Sequence, residues 1–197
     1  MKTALHCLLD GLTLFVLAGC ATRDPTILKP ADEVTAYNAA LEALDAAPAE
    51  TVKPGSPEEA AALARVKAFF GDLSESNVRE NVRKVYAENV FFNDTVKTLN
   101  GLDAVERYLL HTAQGVAECK VEFTDIARSG ANFYLRWGMT VRLDEKRAPW
   151  VSIGMTHMRF DREGRIALHQ DYWDSAAGIY EHLPAVGGLI RYVQRRI

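Results

Sequence analysis

GMTHMRFDREGRIALHQDYWD, residues 154–174, carries the reading of the fold. It divides into two apolar-rich runs around Asp161-Arg162-Glu163-Gly164, a polar segment whose glycine is free to adopt positive φ. That pattern predicts two antiparallel strands joined by a tight turn, the first ending at Phe160, the second running from Arg165 to Trp173. Alternate residues of a strand point to the same side. His169, Asp171 and Trp173 therefore share one face, and two titratable groups beside an indole are unusual for a plain core.

More strands precede this hairpin. Asn132–Leu143 alternates Phe133, Leu135, Trp137, Met139 and Val141 with Tyr134, Arg136, Thr140 and Arg142. Ser129-Gly130 turns it back on Lys120–Arg128, and Pro149–Phe160 continues the meander. Helices come first. Ser56-Pro57-Glu58-Glu59 is a start signal, with a serine cap, proline at the first position and carboxylates at the positive dipole end. Leu63, Val66, Phe69 and Phe70 form that helix's apolar stripe. Asn77–Tyr86 and Leu102–Val116 are predicted as two more helices, with Val90–Phe92 a short strand between them and Val96–Leu99 returning from it. Helices followed by a run of strands define an α+β chain. Ser175–Ile197 is apolar at helical spacing, and Pro184 is expected to split it.

The chain has 197 residues, 48% hydrophobic and 25% charged, with a net charge of −3, so nothing in its charge points to nucleic acid. Of its three cysteines only Cys119 lies in the predicted folded part. It has no CxxC partner and is expected to be inert. The histidines lack metal-ligand spacing, and there is no phosphate loop or GxSxG; no metal and no cofactor is expected.

Met1–Gly19 has the make-up of a leader, with Lys2 ahead of an apolar Leu12–Leu17, too short to span a membrane. Leu17-Ala18-Gly19-Cys20 resembles the lipobox of bacterial lipoproteins. The resemblance implies acylation of Cys20, an anchor in the envelope of a Gram-negative bacterium and, with Ala21 next, the outer membrane. The expected organisation is a leader (1–19), a lipid-anchored tether (20–57) and a folded domain with a C-terminal helical extension (58–197). Val34, Tyr37, Leu41 and Leu44 predict one short amphipathic helix in the tether.

Tyr86-Ala87-Glu88-Asn89-Val90, Phe92-Asn93-Asp94-Thr95-Val96 and Leu99-Asn100-Gly101, with the 154–174 hairpin, resemble the nuclear transport factor 2-like superfamily, most nearly its SnoaL-like branch. The resemblance covers about residues 58–173. It implies a cone-shaped α+β barrel: a curved antiparallel sheet wrapped around the N-terminal helices, with a pocket between them. By the same resemblance Asp94 falls at the carboxylate base of ketosteroid isomerases, and Asp171 at an acid/base position of SnoaL-like cyclases. The two enolate-stabilising acids of the isomerases have no counterpart, since residues 58–73 contain no tyrosine and Thr156 stands at the aspartate position. Steroid isomerisation is therefore not expected.

The candidate catalytic set is Asp94, His169 and Asp171; the candidate ligand-binding set is Tyr86, Phe92, Thr156, Met158 and Trp173. Each has a plainer alternative. Asp94 could cap its turn, and His169 with Asp171 could be a satisfied pair that orders the sheet. Asp174 reads as a helix cap, and His157, on the opposite face with Val151, Ile153 and Met155, as a core or dimer-interface histidine. Three functions stay open: an envelope lipoprotein binding a small apolar or aromatic molecule, an acid/base enzyme of cyclase, isomerase or dehydratase type, or a non-catalytic scaffold subunit. Both sheet faces carry large apolar residues, so a homodimer through the sheet is expected.

Overall fold

The structure is a computed structural model and describes residues 30–46, 52–182 and 186–196. Cys20, the leader and Pro184 lie outside these residues. The elements in chain order are α1 (Pro30–Ala46), α2 (Pro57–Phe70), α3 (Glu75–Val85), β1 (Tyr86–Asn93), β2 (Thr98–Asn100), α4 (Leu102–Gln114), β3 (Glu118–Ser129), β4 (Asn132–Arg142), β5 (Trp150–Phe160), β6 (Ile166–Trp173), α5 (Ser175–Gly178), a 3-10 turn (Tyr180–His182) and α6 (Val186–Gln194).

The capping signals work as the residues suggest. Ser56 Oγ accepts the Glu59 N–H at 3.2 Å, with Pro57 next in line, and Ser74 caps α3 through the Asn77 N–H at 3.4 Å. Asn77 then holds the end of α2 by donating to Phe69 O at 3.0 Å. Asp174 caps α5, accepting the Ala177 N–H at 3.1 Å. The helices bury Ala62, Val66, Phe69, Val78, Val82, Val85, Val105 and Leu109 against the inner face of the sheet.

One curved six-stranded sheet has the order β2-β1-β6-β5-β4-β3. All pairs are antiparallel except β1 with β6, which run parallel with Phe92 opposite His169. The expected antiparallel run holds along β3 to β6, where strands follow one another by hairpins. β1 is separated from β6 by the whole meander and enters from the other end. β1 is also longer than the predicted Val90–Phe92: it begins at Tyr86, expected as the end of α3, because the backbone turns extended there (φ −105°, ψ 143°). The β5–β6 turn forms at Asp161–Gly164, with Gly164 at φ +71° and Asp161 Oδ1 accepting the Glu163 and Arg165 amides at 2.9 and 2.8 Å.

The inner face carries Phe133, Leu135, Trp137, Thr156, Met158 and His169, all buried. The outer face divides in two. Toward the β5–β6 turn it is covered by α1, the helix predicted in the tether. Tyr37 packs edge-on against Phe91 at 6.0 Å, its hydroxyl is 3.0 Å from His157 Nδ1, and Asp45 Oδ1 accepts from the Arg159 guanidinium at 2.5 Å. His157 is thus buried beneath this chain's own helix. At the other end of β5, Val151 and Ile153 are 69% and 78% exposed, beside Met155 and Tyr172.

Candidate functional site

Between the sheet and the helices lies a cavity of about 110 Å³. The period-two alternation of β6 puts His169, Asp171 and Trp173 on its wall. β5 adds Thr156, opposite Asp171 in register, and β1 adds Phe92 and, at its exit, Asp94. The rest is mostly apolar, including Phe70, Phe123, Trp137, Met139 and Tyr108.

One hydrogen-bonded chain crosses the wall. Trp137 Nε1–H donates to Thr156 Oγ1 at 2.8 Å, and the Thr156 hydroxyl donates to Asp171 Oδ1 at 2.5 Å. His169 Nε2 lies 3.0 Å from the same oxygen, and His169 Nδ1 lies 3.0 Å from the Tyr86 hydroxyl. Roles follow from what each group can do. An ionised carboxylate only accepts, so Nε2 carries the proton; Nδ1 meets a phenol hydroxyl, which can donate to a bare ring nitrogen or accept from an N–H. Tyr86 is fully buried, and burial, with the charges of Asp171 and Asp94, pushes its phenol well above the usual range, so it keeps its proton. Both bonds reach Oδ1, which leaves Asp171 Oδ2 without a partner among the described residues.

Asp94 is held more completely. Its Oδ1 accepts the Val96 and Lys97 amides at 3.0 and 2.8 Å, and its Oδ2 accepts the Tyr108 hydroxyl at 2.5 Å. The loop includes Thr95 at φ +70°, an uncommon conformation for a β-branched residue, stabilised by its N–H bond to Asn93 Oδ1 at 2.7 Å. Burial raises the Asp94 pKa and the charge of Asp171 adds to it, while the Tyr108 bond and the two amides act the other way. Asp94 thus does both things open to it: it caps the turn and faces the cavity. Trp173 closes that side, its indole donating to Asp94 O at 2.8 Å.

The two indoles are seated by glycine. A Cβ on Gly154 would lie 2.4 Å from Trp137 Cζ2 and 2.7 Å from Trp173 Cβ, and one on Gly178 would lie 2.2 Å from the Trp173 ring. α5 is thereby laid flat against Trp173.

Asp94, His169, Asp171, Phe92, Thr156 and Trp173 meet at one cavity. Tyr86 does not reach its wall; it sits behind His169. Met158, expected to contact a ligand, is fully buried in the core instead, since it lies opposite His169 deeper in the cone. Tyr108, Trp137 and Cys119 line the cavity without having been predicted to. Tyr108 was readable on the apolar stripe of α4 and Trp137 on the alternation of β4, but neither pattern says which core position borders a void. Cys119 is buried, and burial pushes its thiol up to about 11. Among the described residues no three metal-ligating side chains converge, and no helix is long and apolar enough to cross a membrane.

An inward-facing carboxylate pair in a small aromatic cavity, on a curved sheet closed by three helices, defines a pocketed α+β domain. Residues 66–169, more than half of the chain, match the SnoaL-like domain family, and the chain belongs to it. No curated protein sequence matches the chain. Solved structures share the fold. An LEH-like epoxide hydrolase from M. tuberculosis is 20% identical with a TM-score of 0.52, the match covering 72% of this chain and 99% of that one. A protein of ketosteroid isomerase-like fold from Catenulispora acidiphila, solved in complex with trimethylamine, is 15% identical with a TM-score of 0.51, covering 60% and 88%. TsrD from Streptomyces laurentii is 11% identical with a TM-score of 0.51, covering 68% and 99%.

Proposed function

We propose that this protein is an envelope lipoprotein whose SnoaL-like domain binds a small molecule in the conical cavity. The observation that carries the reading is the cavity itself: a void of about 110 Å³, mostly apolar, onto which a few polar groups converge from three strands. The relative of the same fold that carries trimethylamine is consistent with a site for a compact ligand. Native mass spectrometry of the protein purified from its host is the test. A retained small molecule supports the reading. A bare chain mass, unchanged after incubation with host extract, refutes it.

A second reading, acid/base catalysis, is favoured by one specific observation. Asp171 has an oxygen left for the cavity and is backed by His169 and Tyr86, an arrangement able to accept a proton from a substrate and delocalise the consequence over three groups. Asp94, whose pKa burial raises, would supply the acid. Turnover of the retained molecule that is lost in Asp171→Asn supports this reading; its survival there sinks it.

Cys20 is the proposed anchor, placing the domain at the outer membrane of a Gram-negative envelope. Acyl chains contribute about 0.8 kcal/mol per buried methylene, so a multiply acylated cysteine holds firmly. Cys20→Ala should abolish the lipid mass increment. A homodimer would use the half of the outer face that α1 leaves open, around Val151, Ile153, Met155 and Tyr172. Sedimentation of wild type and Ile153→Glu tests it: a dimer that becomes a monomer is the expected result.

A further inference from the structure

The charge of the cavity deepens the ligand-binding reading. Two carboxylates, Asp94 and Asp171, face the same small void, and no lysine or arginine lines it. The one basic side chain on the wall, His169, is engaged on both sides, Nε2 3.0 Å from Asp171 Oδ1 and Nδ1 3.0 Å from the Tyr86 hydroxyl, and it leaves Asp171 Oδ2 for a ligand. The walls beside the carboxylates are the rings of Trp137, Trp173, Phe92 and Tyr108. Aromatic faces attract cations and give an anion nothing.

We infer that the ligand is a small alkylated ammonium cation, its methyl groups against the aromatic rings and its charge shared between Asp94 and Asp171. This inference rests on the reading of the cavity as a ligand site. Each part of the site fits such a ligand. The rings would provide the quadrupole that a desolvated ammonium needs, and the carboxylates its counterions. Mutual repulsion contributes to the raised pKa of Asp94, and a cation between the two would relieve it. The size agrees as well. An apolar cavity of about 150 Å³ takes benzene, so one of about 110 Å³ takes a group of roughly four or five heavy atoms. A neutral hydrocarbon would cover Asp171 Oδ2 without offering it a partner, and an anion would meet two like charges.

The test compares two probes of the same tetrahedral shape, tetramethylammonium and tert-butanol, titrated into the full-length chain labelled at tryptophan. The indole N–H resonances of Trp137 and Trp173 report occupancy directly, since both rings line the cavity. Sodium chloride at matched ionic strength removes effects of screening. Tetramethylammonium should shift both resonances and bind at least tenfold more tightly than tert-butanol. Asp171→Asn should cut that preference to a few-fold, and Asp94→Asn provides an independent variant should the first fold poorly. Equal or tighter binding of tert-butanol would overturn the cation assignment while leaving the cavity a ligand site. Silence toward both probes would also overturn the assignment; the mass of the host-purified protein then decides separately whether the cavity binds anything.

Discussion

Acid should loosen the chain at His157, and the size of the effect follows from its surroundings. The ring is buried between Tyr134, stacked at 5.0 Å, and Tyr37 of α1, with Nε2 2.9 Å from Asn132 Oδ1. Burial, and after it the charge of Arg159, lowers its pKa to about 4 from the ordinary 6.5. The folded state therefore holds the ring neutral where the unfolded chain already binds a proton. Stability from this group is complete above pH 6.5 and falls with acid through the window between 6.5 and 4, by about 1.4 kcal/mol per pH unit. Between pH 7 and pH 4.5 the loss comes to about 2–3 kcal/mol. It will be taken as global destabilisation or as release of α1, whichever costs less. Urea unfolding and hydrogen exchange of the α1 amides, both followed against pH, read the two routes. His157→Gln keeps an acceptor for Tyr37 and a donor for Asn132 but cannot titrate, so subtracting its profile removes the carboxylates common to both proteins. Parallel profiles for wild type and His157→Gln would refute the reasoning.

Four substitutions test the site's construction. Thr156→Val removes the acceptor of the Trp137 indole and the donor to Asp171, and should cost about 1–3 kcal/mol by denaturant unfolding. Tyr86→Phe strands His169 Nδ1 in the core at a similar cost of about 1–3 kcal/mol, read the same way; a neutral result would mean that Tyr86 is not the donor. Gly154→Ala forces a methyl group into Trp137 and Trp173, so a loss of about 1–3 kcal/mol should come with an altered near-ultraviolet circular dichroism signal from the two indoles. Thr95→Gly should instead stabilise by about 1 kcal/mol, because its φ of +70° suits glycine and strains a β-branched residue; a lower melting temperature would argue against strain there.

The β5–β6 hairpin was legible because three signals agree in it: alternation, β-branched and aromatic residues, and a turn ending in Gly164. Alternation alone placed His169, Asp171 and Trp173 on one face, which the cavity shares. Tyr86 was harder. It follows a helical stripe of valines, and only the extended backbone at that residue turns it from the end of α3 into the start of β1. Its bond to His169 joins positions 83 residues apart, which no local pattern encodes. Met158 shows the converse limit. Its face was correctly read, but whether an inward residue meets a void or other side chains depends on how the helices fill the cone. The α1 helix was visible as an amphipathic stripe, yet a stripe does not name the surface it covers. That surface became evident only from Tyr37 against Phe91 and His157.

The parallel pairing of β1 with β6 has a kinetic meaning. Each hairpin from β3 to β6 can close as soon as its second strand exists, but β1 has no partner on its inner edge until residue 173 has been made. Chains emerging from the ribosome would hold the β6-facing edge of β1 unpaired through the synthesis of the whole meander. Closure of that loop is the non-local step expected to dominate the folding time. Truncation anywhere before β6 should leave a sheet that cannot complete itself, however well its hairpins form.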